Sequence, residues 1–337
     1  MAIVGGFDVH RSQITVELLD TESGEITRGQ IRPATRERLR GWLSRFGPEP
    51  EVAIAVEATT GWRFVVEELV RAGVEPHLAE PADTSALRGR KKRPKTDRQD
   101  AKHLRELLQQ GRLPECWIPP TQIQELRDLV RLRKNLLDDR RCWVQRIHAE
   151  IFQQGLPSRA GHLDLEQLAG LQLSRAGLRK VEVARRRIQE TESELELLDR
   201  ELLSWARHSL GVRVLRRRYG WGPITSLCVL AEHGDARRFG SSRKAVRNTG
   251  LDITIYQSDG KRAPGRLSRQ GPPLLRWALY EIAMCASRPA SPAHAYYRQV
   301  AEHKGHPRAV LSQARREMRW AHHTLIGLGE QALEFAA

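Results

Sequence analysis

With 337 residues, 40 % of them hydrophobic and 29 % charged, the chain has the make-up of a globular protein of two domains or one large one. Its 56 basic residues, 47 Arg and 9 Lys, outnumber 41 acids and leave a formal net charge of +15, a balance that favours polyanionic partners. No apolar run approaches the roughly 18 residues of a membrane span, and Cys116, Cys142, Cys228 and Cys285 are too scattered for a zinc finger or a disulfide framework.

The N-terminal "MAIVGGFDVH" has no basic lead and meets an acid early, so a signal peptide is not expected. A cytoplasmic, nucleoid-associated protein with no membrane partner is. "AIVGGFDVH" and "QITVELLD" are β-rich runs joined by a short polar turn, the pattern of a hairpin, and "EITRGQI" is a weaker third strand. "TRERLRGWLSRF" has helical spacing, "EVAIAVEA" is a nearly continuous apolar strand, "GWRFVVEELVRAG" a second helix and "VEPHLAE" a short last strand. Three hairpin-connected strands followed by helix, strand, helix, strand, helix is the order of an RNase H-like α/β domain, expected over residues 1–112.

Asp8 and Glu57 each interrupt an apolar strand near its end, where an acid is costly unless solvated, paired or bound to metal. "DRQDAKHLRELLQQG" then reads as a helix. Residues three apart share a helical face with Cβ atoms roughly 5–6 Å apart, so Asp97 and Asp100 face one object, and His103 continues that face. Like charges so placed repel, which favours a cation between them. A dipole-favoured cap would account for Asp97 alone. With Asp8 and Glu57 the pair makes four carboxylates, enough to hold two metal ions about 3.5–4 Å apart for phosphoryl transfer.

Together "GFDVH", "AVEATTGW" and "KTDRQDAKHL" resemble the D-E-D-D signature of the bridge-RNA-guided insertion-sequence transposases, the IS-one-ten family, whose relatives include pilin-gene invertases. The resemblance implies a first domain similar to the junction resolvase RuvC. It also implies that Asp8, Glu57, Asp97 and Asp100 hold Mg²⁺ or Mn²⁺ as a pair of ions. Beside them the basic run Arg88, Arg90, Lys91, Lys92, Arg93 with Lys95 becomes a backbone-contacting loop, where the plain reading is a solvated segment.

A helix is expected from Thr121 to about Gln154, through Ile123, Leu126, Val130, Leu137, Val144, Ile147 and Ile151. In a second, Val181, Ala184, Ile188, Thr191, Leu195, Leu198, Leu202 and Trp205 fill alternating a and d positions. Residues 113–210 thus read as an antiparallel helical hairpin or as dimer-forming coiled coils. In the resembling family this section joins the two catalytic domains and helps protomers associate, as a homodimer assembling to a tetramer.

Residues 211–337 form the third expected domain, mostly α-helical. "RRRYGWGPITSLCVLAEHGD" looks like a helix-hairpin-helix element whose glycine turn offers backbone N–H groups to phosphates. Next, "YQSDGK" and "GRLSRQGPPLLR" are similar to the serine-bearing region of the same transposases. That similarity makes Ser258 the nucleophile, ahead of Ser241, Ser242, Ser268 and Tyr256, and makes Lys261, Arg262, Arg266 and Arg269 nucleic-acid contacts. Asp259 stands where many members have Gly or Ser. His322 and His323 lack a ligating neighbour at metal spacing and read as surface residues.

A serine attacking phosphorus keeps the phosphodiester energy in a phosphoserine bond, so strands rejoin without ATP. That use asks the first and last domains to meet, within or between protomers. The expected activity is therefore that of a DNA transposase acting on double-stranded element ends and targets, guided by a structured RNA that reads sequence by pairing. A metal-dependent resolvase or nuclease without serine chemistry, and a non-enzymatic nucleic-acid-binding protein, are the alternatives.

Overall fold

A computed structural model describes residues 2–48, 50–89, 96–156, 172–255 and 265–335, together with the backbone of 257–258 and 261–262. The chain forms two compact units, residues 1–118 and 119–337.

The first unit is built on β1 (Ile3–Val9), β2 (Ile14–Asp20), β3 (Ile26–Ile31), β4 (Val52–Glu57) and β5 (Glu75–Ala79), with helices α1 (Arg36–Leu43), α2 (Trp62–Arg71), α3 (Pro81–Ala86) and α4 (Asp97–Gln109). The strand order is β3-β2-β1-β4-β5. β1–β2 and β2–β3 are antiparallel, while β1–β4 and β4–β5 are parallel. This mixed sheet has the strand order and helix placement expected of an RNase H-like domain. "EITRGQI" does form a strand, and its mostly exposed residues fit its place at the sheet edge.

Alternation along the strands divides the sheet into two different faces. Phe7, Val9, Ile14, Val16, Ile54 and Val56 meet Leu39, Leu43, Val65 and Leu69 of α1 and α2 in one large apolar cluster. The other face carries small residues, with Ala55 packed against Leu104 of α4. Gly6 decides how close α4 comes. A Cβ built there would lie 2.1 Å from the Ala101 carbonyl oxygen and 2.6 Å from the Arg105 nitrogen, so helix backbone rests directly on strand backbone. Arg105 then reaches Glu17 of β2 from Nη2 at 2.9 Å, and Arg28 holds the other carboxylate oxygen at 2.8 Å.

The second unit is almost all helix: α5 (Thr121–Gln153), α6 (Arg175–His208), α7 (Leu210–Leu215), α8 (Pro223–His233), α9 (Ser242–Asn248), α10 (Pro273–Met284), α11 (His294–Lys304) and α12 (His306–Leu328), with the two-residue strands β6 (Gln257–Ser258) and β7 (Lys261–Arg262). α5 and α6 run antiparallel within the chain. Ile147 and Ile151 cluster with Val181, Ala184 and Ile188, and Leu126 and Val130 share a cluster with Leu198 and Leu202. Arg133–Asp199 and Arg140–Glu192 pair along the seam. The a/d stripe of α6 is therefore covered by α5, the hairpin alternative of the two expected. Their lower half merges into the core around α8, where Arg131 grips Glu232 with two hydrogen bonds of 2.7 and 2.8 Å.

One expectation is corrected. His322 is buried, whereas His323 is exposed. His322 falls on the stripe of α12 that also buries Ala314, Met318, Ala321 and Leu325, so helical position overrode residue polarity. Among the described residues no helix is long and apolar enough to cross a membrane.

Candidate active site

β1 and β4 are parallel neighbours, paired as far as Phe7 and Val56. Asp8 and Glu57 come one residue later, on the α4 side of the sheet. Two acids expected from sequence as strand-end interruptions are thus set side by side by register. Thr96 caps α4, its side chain accepting from the Gln99 N–H, and Asp97 and Asp100 fall in the first turn of the helix. Because α4 lies on Gly6, that turn is held beside Asp8.

All four acids, Asp8, Glu57, Asp97 and Asp100, line one cleft of about 760 Å³. Asp8 is 6 % exposed. His10 Nε2 lies 3.1 Å from Asp8 Oδ2 and 3.5 Å from Asp97 Oδ1. Donor atoms of Asp8, His10 and Asp97 lie within 4.8 Å of one another, compact enough to hold a metal ion. Gln13 Nε2 donates to Asp97 Oδ2 at 2.8 Å, and Arg88 Nη1 to Asp100 Oδ1 at 2.5 Å. His103 does not join the cleft's donors through Nε2, which lies 3.0 Å from the Thr84 carbonyl oxygen.

The Asp8 carboxyl is pushed up to about 6. Burial is the main cause, the nearby Asp100 and Asp97 add to it, and His10 opposes them by charge and hydrogen bond. A buried carboxylate facing two further acids suits a cation: oxygen donors with one imidazole nitrogen match Mg²⁺ or Mn²⁺ chemistry. The residues fit such an ion.

Sequence reasoning passed over His10 and Gln13. His10 stands inside the quoted "GFDVH", two residues past Asp8, so strand alternation offered a signal for it. Gln13 offered none, because only the β1–β2 turn brings it to Asp97.

Arg88 is the described member of the basic loop, and its guanidinium is on Asp100. Arg90, Lys91, Lys92, Arg93 and Lys95 lie outside the described residues, as does Tyr256. In the second unit the backbone of Ser258 pairs with Lys261 and that of Gln257 with Arg262. The side chains of Ser258, Lys261 and Arg262 lie outside the description. Arg266 and Arg269 are exposed on the same segment, where Thr254 bonds both backbone groups of Arg266. Two other serines have structural partners: Ser241 caps α9, and Ser268 bonds the Asp252 carboxylate. A turn joins α7 to α8 in this region. Gly220 has φ 89°, and a Cβ there would lie 3.0 Å from the Ile282 oxygen, so packing alone also demands glycine.

Residues 5–155 match a transposase family model of the DEDD IS110 type. Residues 212–298 match the model described as Transposase IS116/IS110/IS902 family. A family 20 transposase of Pseudomonas aeruginosa is 22 % identical over 291 residues, 84 % of this chain and 83 % of its own. Transposase y4qE of Sinorhizobium fredii is 25 % identical over 242 residues, 69 % of this chain and 57 % of its own.

Proposed function

From the premise that this chain is a DNA transposase carrying both domains of the IS110 family, we propose that it cuts and rejoins DNA with two chemistries, an acidic metal centre and a serine nucleophile. The convergence of Asp8, His10 and Asp97 carries the reading of the first. Asp8, Asp97, Asp100 and Glu57 would hold two Mg²⁺ or Mn²⁺ ions. Such ions supply charge to the phosphoryl oxygens and to the leaving oxygen. The chain's own residues do the rest. Gln13 and His10 orient Asp97 and Asp8, and Arg88, released from Asp100, offers a guanidinium to the DNA backbone.

Ser258 is assigned the second chemistry from its place in "YQSDGK". Its Oγ–P bond forms as the P–O3′ bond breaks; the serine proton goes to a base, and the 3′ oxygen takes one up. The product is a 5′-phosphoserine with a free 3′-hydroxyl, and the reverse attack by another 3′-hydroxyl rejoins strands. Lys261, Arg262, Arg266 and Arg269 flank the serine and are assigned to phosphate contacts. Double-stranded element ends and targets are the substrates. A structured guide RNA reads their sequence, and protomers assemble as a homodimer that builds a tetramer.

The test is a covalent protein–DNA adduct, trapped by denaturation after incubation with element-end DNA and Mg²⁺. Ser258→Ala is expected to abolish the adduct, and an adduct at wild-type yield overturns the nucleophile. Hydrolysed ends with no adduct from the wild-type protein would identify a resolvase-like nuclease. Sequencing RNA that co-purifies with the protein tests the guide: a discrete RNA matching element end and target supports it, and heterogeneous cellular RNA overturns it.

A further inference from the structure

The second unit contains a pocket that the serine chemistry does not use. About 420 Å³ in volume, it is lined by the turn after α7 (Arg217, Arg218, Tyr219) and by Gln313, Arg316 and Glu317 of α12, with Ile282, Ala286 and Pro292 as its apolar wall. That volume is within the range of small-ligand sites.

Three arginines meet one acid here, and the acid is already taken. Glu317 accepts Arg218 at 2.7 and 3.2 Å and the Trp221 indole N–H at 2.8 Å. Arg217 and Arg316 are exposed, and among the described residues neither has an acid within ion-pair reach. Arg316 is steadied over the Tyr296 ring, 3.9 Å from its centroid. Tyr219 is 41 % exposed and, among the described residues, has no stacking partner.

The floor supplies a second, independent observation. Gln313 is 1 % exposed and donates from Nε2 to Glu317, yet its Oε1 is buried with no hydrogen-bond partner among the described residues. A buried amide oxygen left unpaired is costly and marks a place for a missing donor. We propose that this pocket receives one unstacked nucleotide of a single strand. Its phosphate lies between Arg217 and Arg316, its base face on Tyr219, and a base N–H on Gln313 Oε1. Two open guanidiniums, an open aromatic face, an apolar wall and a buried acceptor are the set that a nucleotide satisfies and a simple anion does not. Concavity requires the base to leave the helical stack. The inference rests on the transposase reading only for supplying the polymer.

The experiment uses the full-length protein and 12-nucleotide single strands carrying one 5-iodouracil, in DNA and RNA forms. Photocrosslinking with peptide mapping is expected to identify the peptide containing Tyr219 in at least one form, and which form responds distinguishes DNA from RNA. Arg217→Glu with Arg316→Glu is expected to weaken binding by about tenfold beyond a charge-matched pair, Arg207→Glu with Arg308→Glu. Equal loss in both pairs, or crosslinks that avoid the 217–221 turn in both polymers, overturns the pocket. Asp8→Asn keeps the crosslink while strand cleavage is lost, so failure of the metal-centre reading is distinguishable from failure of this one.

Discussion

Two carboxylates lie under α4 on neighbouring strands, and they are treated in opposite ways. Glu17 of β2 is buried and fully answered: Arg105 comes from the helix above and Arg28 from the next strand. Asp8 of β1 is buried and answered by no arginine among the described residues; it faces His10, Asp97 and Asp100 instead. A fold that needs an acid only for structure supplies its counter-charge. A fold that leaves a buried acid among other acids keeps that place for something outside the chain. The contrast separates a structural anchor from the candidate site on one sheet face.

The largest expected effect breaks the second half of that contrast. Asp8→Asn keeps shape and removes charge, and Mg²⁺-dependent strand cleavage should fall by about 10²-fold or more. Urea unfolding of the metal-free variant should show no loss of stability at neutral pH, because the buried charge is unfavourable there. Cleavage at the wild-type rate would move the centre away from Asp8. The matching change in the anchor is Arg105→Met. It leaves Glu17 with Arg28 alone and is expected to cost about 3 kcal/mol in urea unfolding. Adding Glu17→Leu should recover most of that loss if the pair is only an anchor.

A third buried ionisable group sharpens the comparison, since among the described residues it makes neither an ion pair nor a side-chain hydrogen bond. His233 at the end of α8 is stacked on Phe239, and among the described residues neither ring nitrogen has a partner. Burial is the main cause that pushes its pKa down to about 3, helped by Arg238. Its folded pKa is below the unfolded value of about 6.5, so its contribution to stability is full above pH 6.5 and is lost as pH falls towards 3. By pH 5 the loss should be about 2 kcal/mol. Unfolding curves at pH 7 and pH 5 check this, and His233→Leu should abolish the difference that this group makes.

These differences set what could be read from the residues alone. The sheet order was legible, because a hairpin of apolar runs followed by alternating helices and strands leaves few arrangements. Asp8, Glu57, Asp97 and Asp100 were legible too, as acids where apolar strands end and at i, i+3 on a helix. Gly6 was not: its importance is the backbone of α4 resting on it, a contact between distant segments. Nothing in the sequence marks Glu17, because its burial depends on Arg105 of α4 lying over it. For α6 the heptads showed a seam but not its partner, since a stripe of Val, Ile and Leu packs on any complementary stripe. His322 was misread by residue type where Met318, Ala321 and Leu325 already marked its face as inward.

The smallest expected effect concerns His10, and it tests what completes the Asp8 side of the comparison. The imidazole is close enough to two carboxylates to be either their hydrogen-bonding neighbour alone or a third donor to a metal that they would hold. The two roles differ in metal preference. Imidazole nitrogen binds Mn²⁺ better than Mg²⁺, which prefers carboxylate and water oxygen. As a donor, His10 makes His10→Ala lower Mn²⁺ affinity by about tenfold, with a smaller loss for Mg²⁺. Isothermal titration of both ions reads the two affinities without any DNA present. Equal losses for both ions would leave His10 as a polar neighbour of Asp8, 3.1 Å away, where it lowers that carboxyl's pKa. Unequal losses would make the imidazole part of the centre, and the unanswered acid of β1 would then have its partner in the metal it shares with His10.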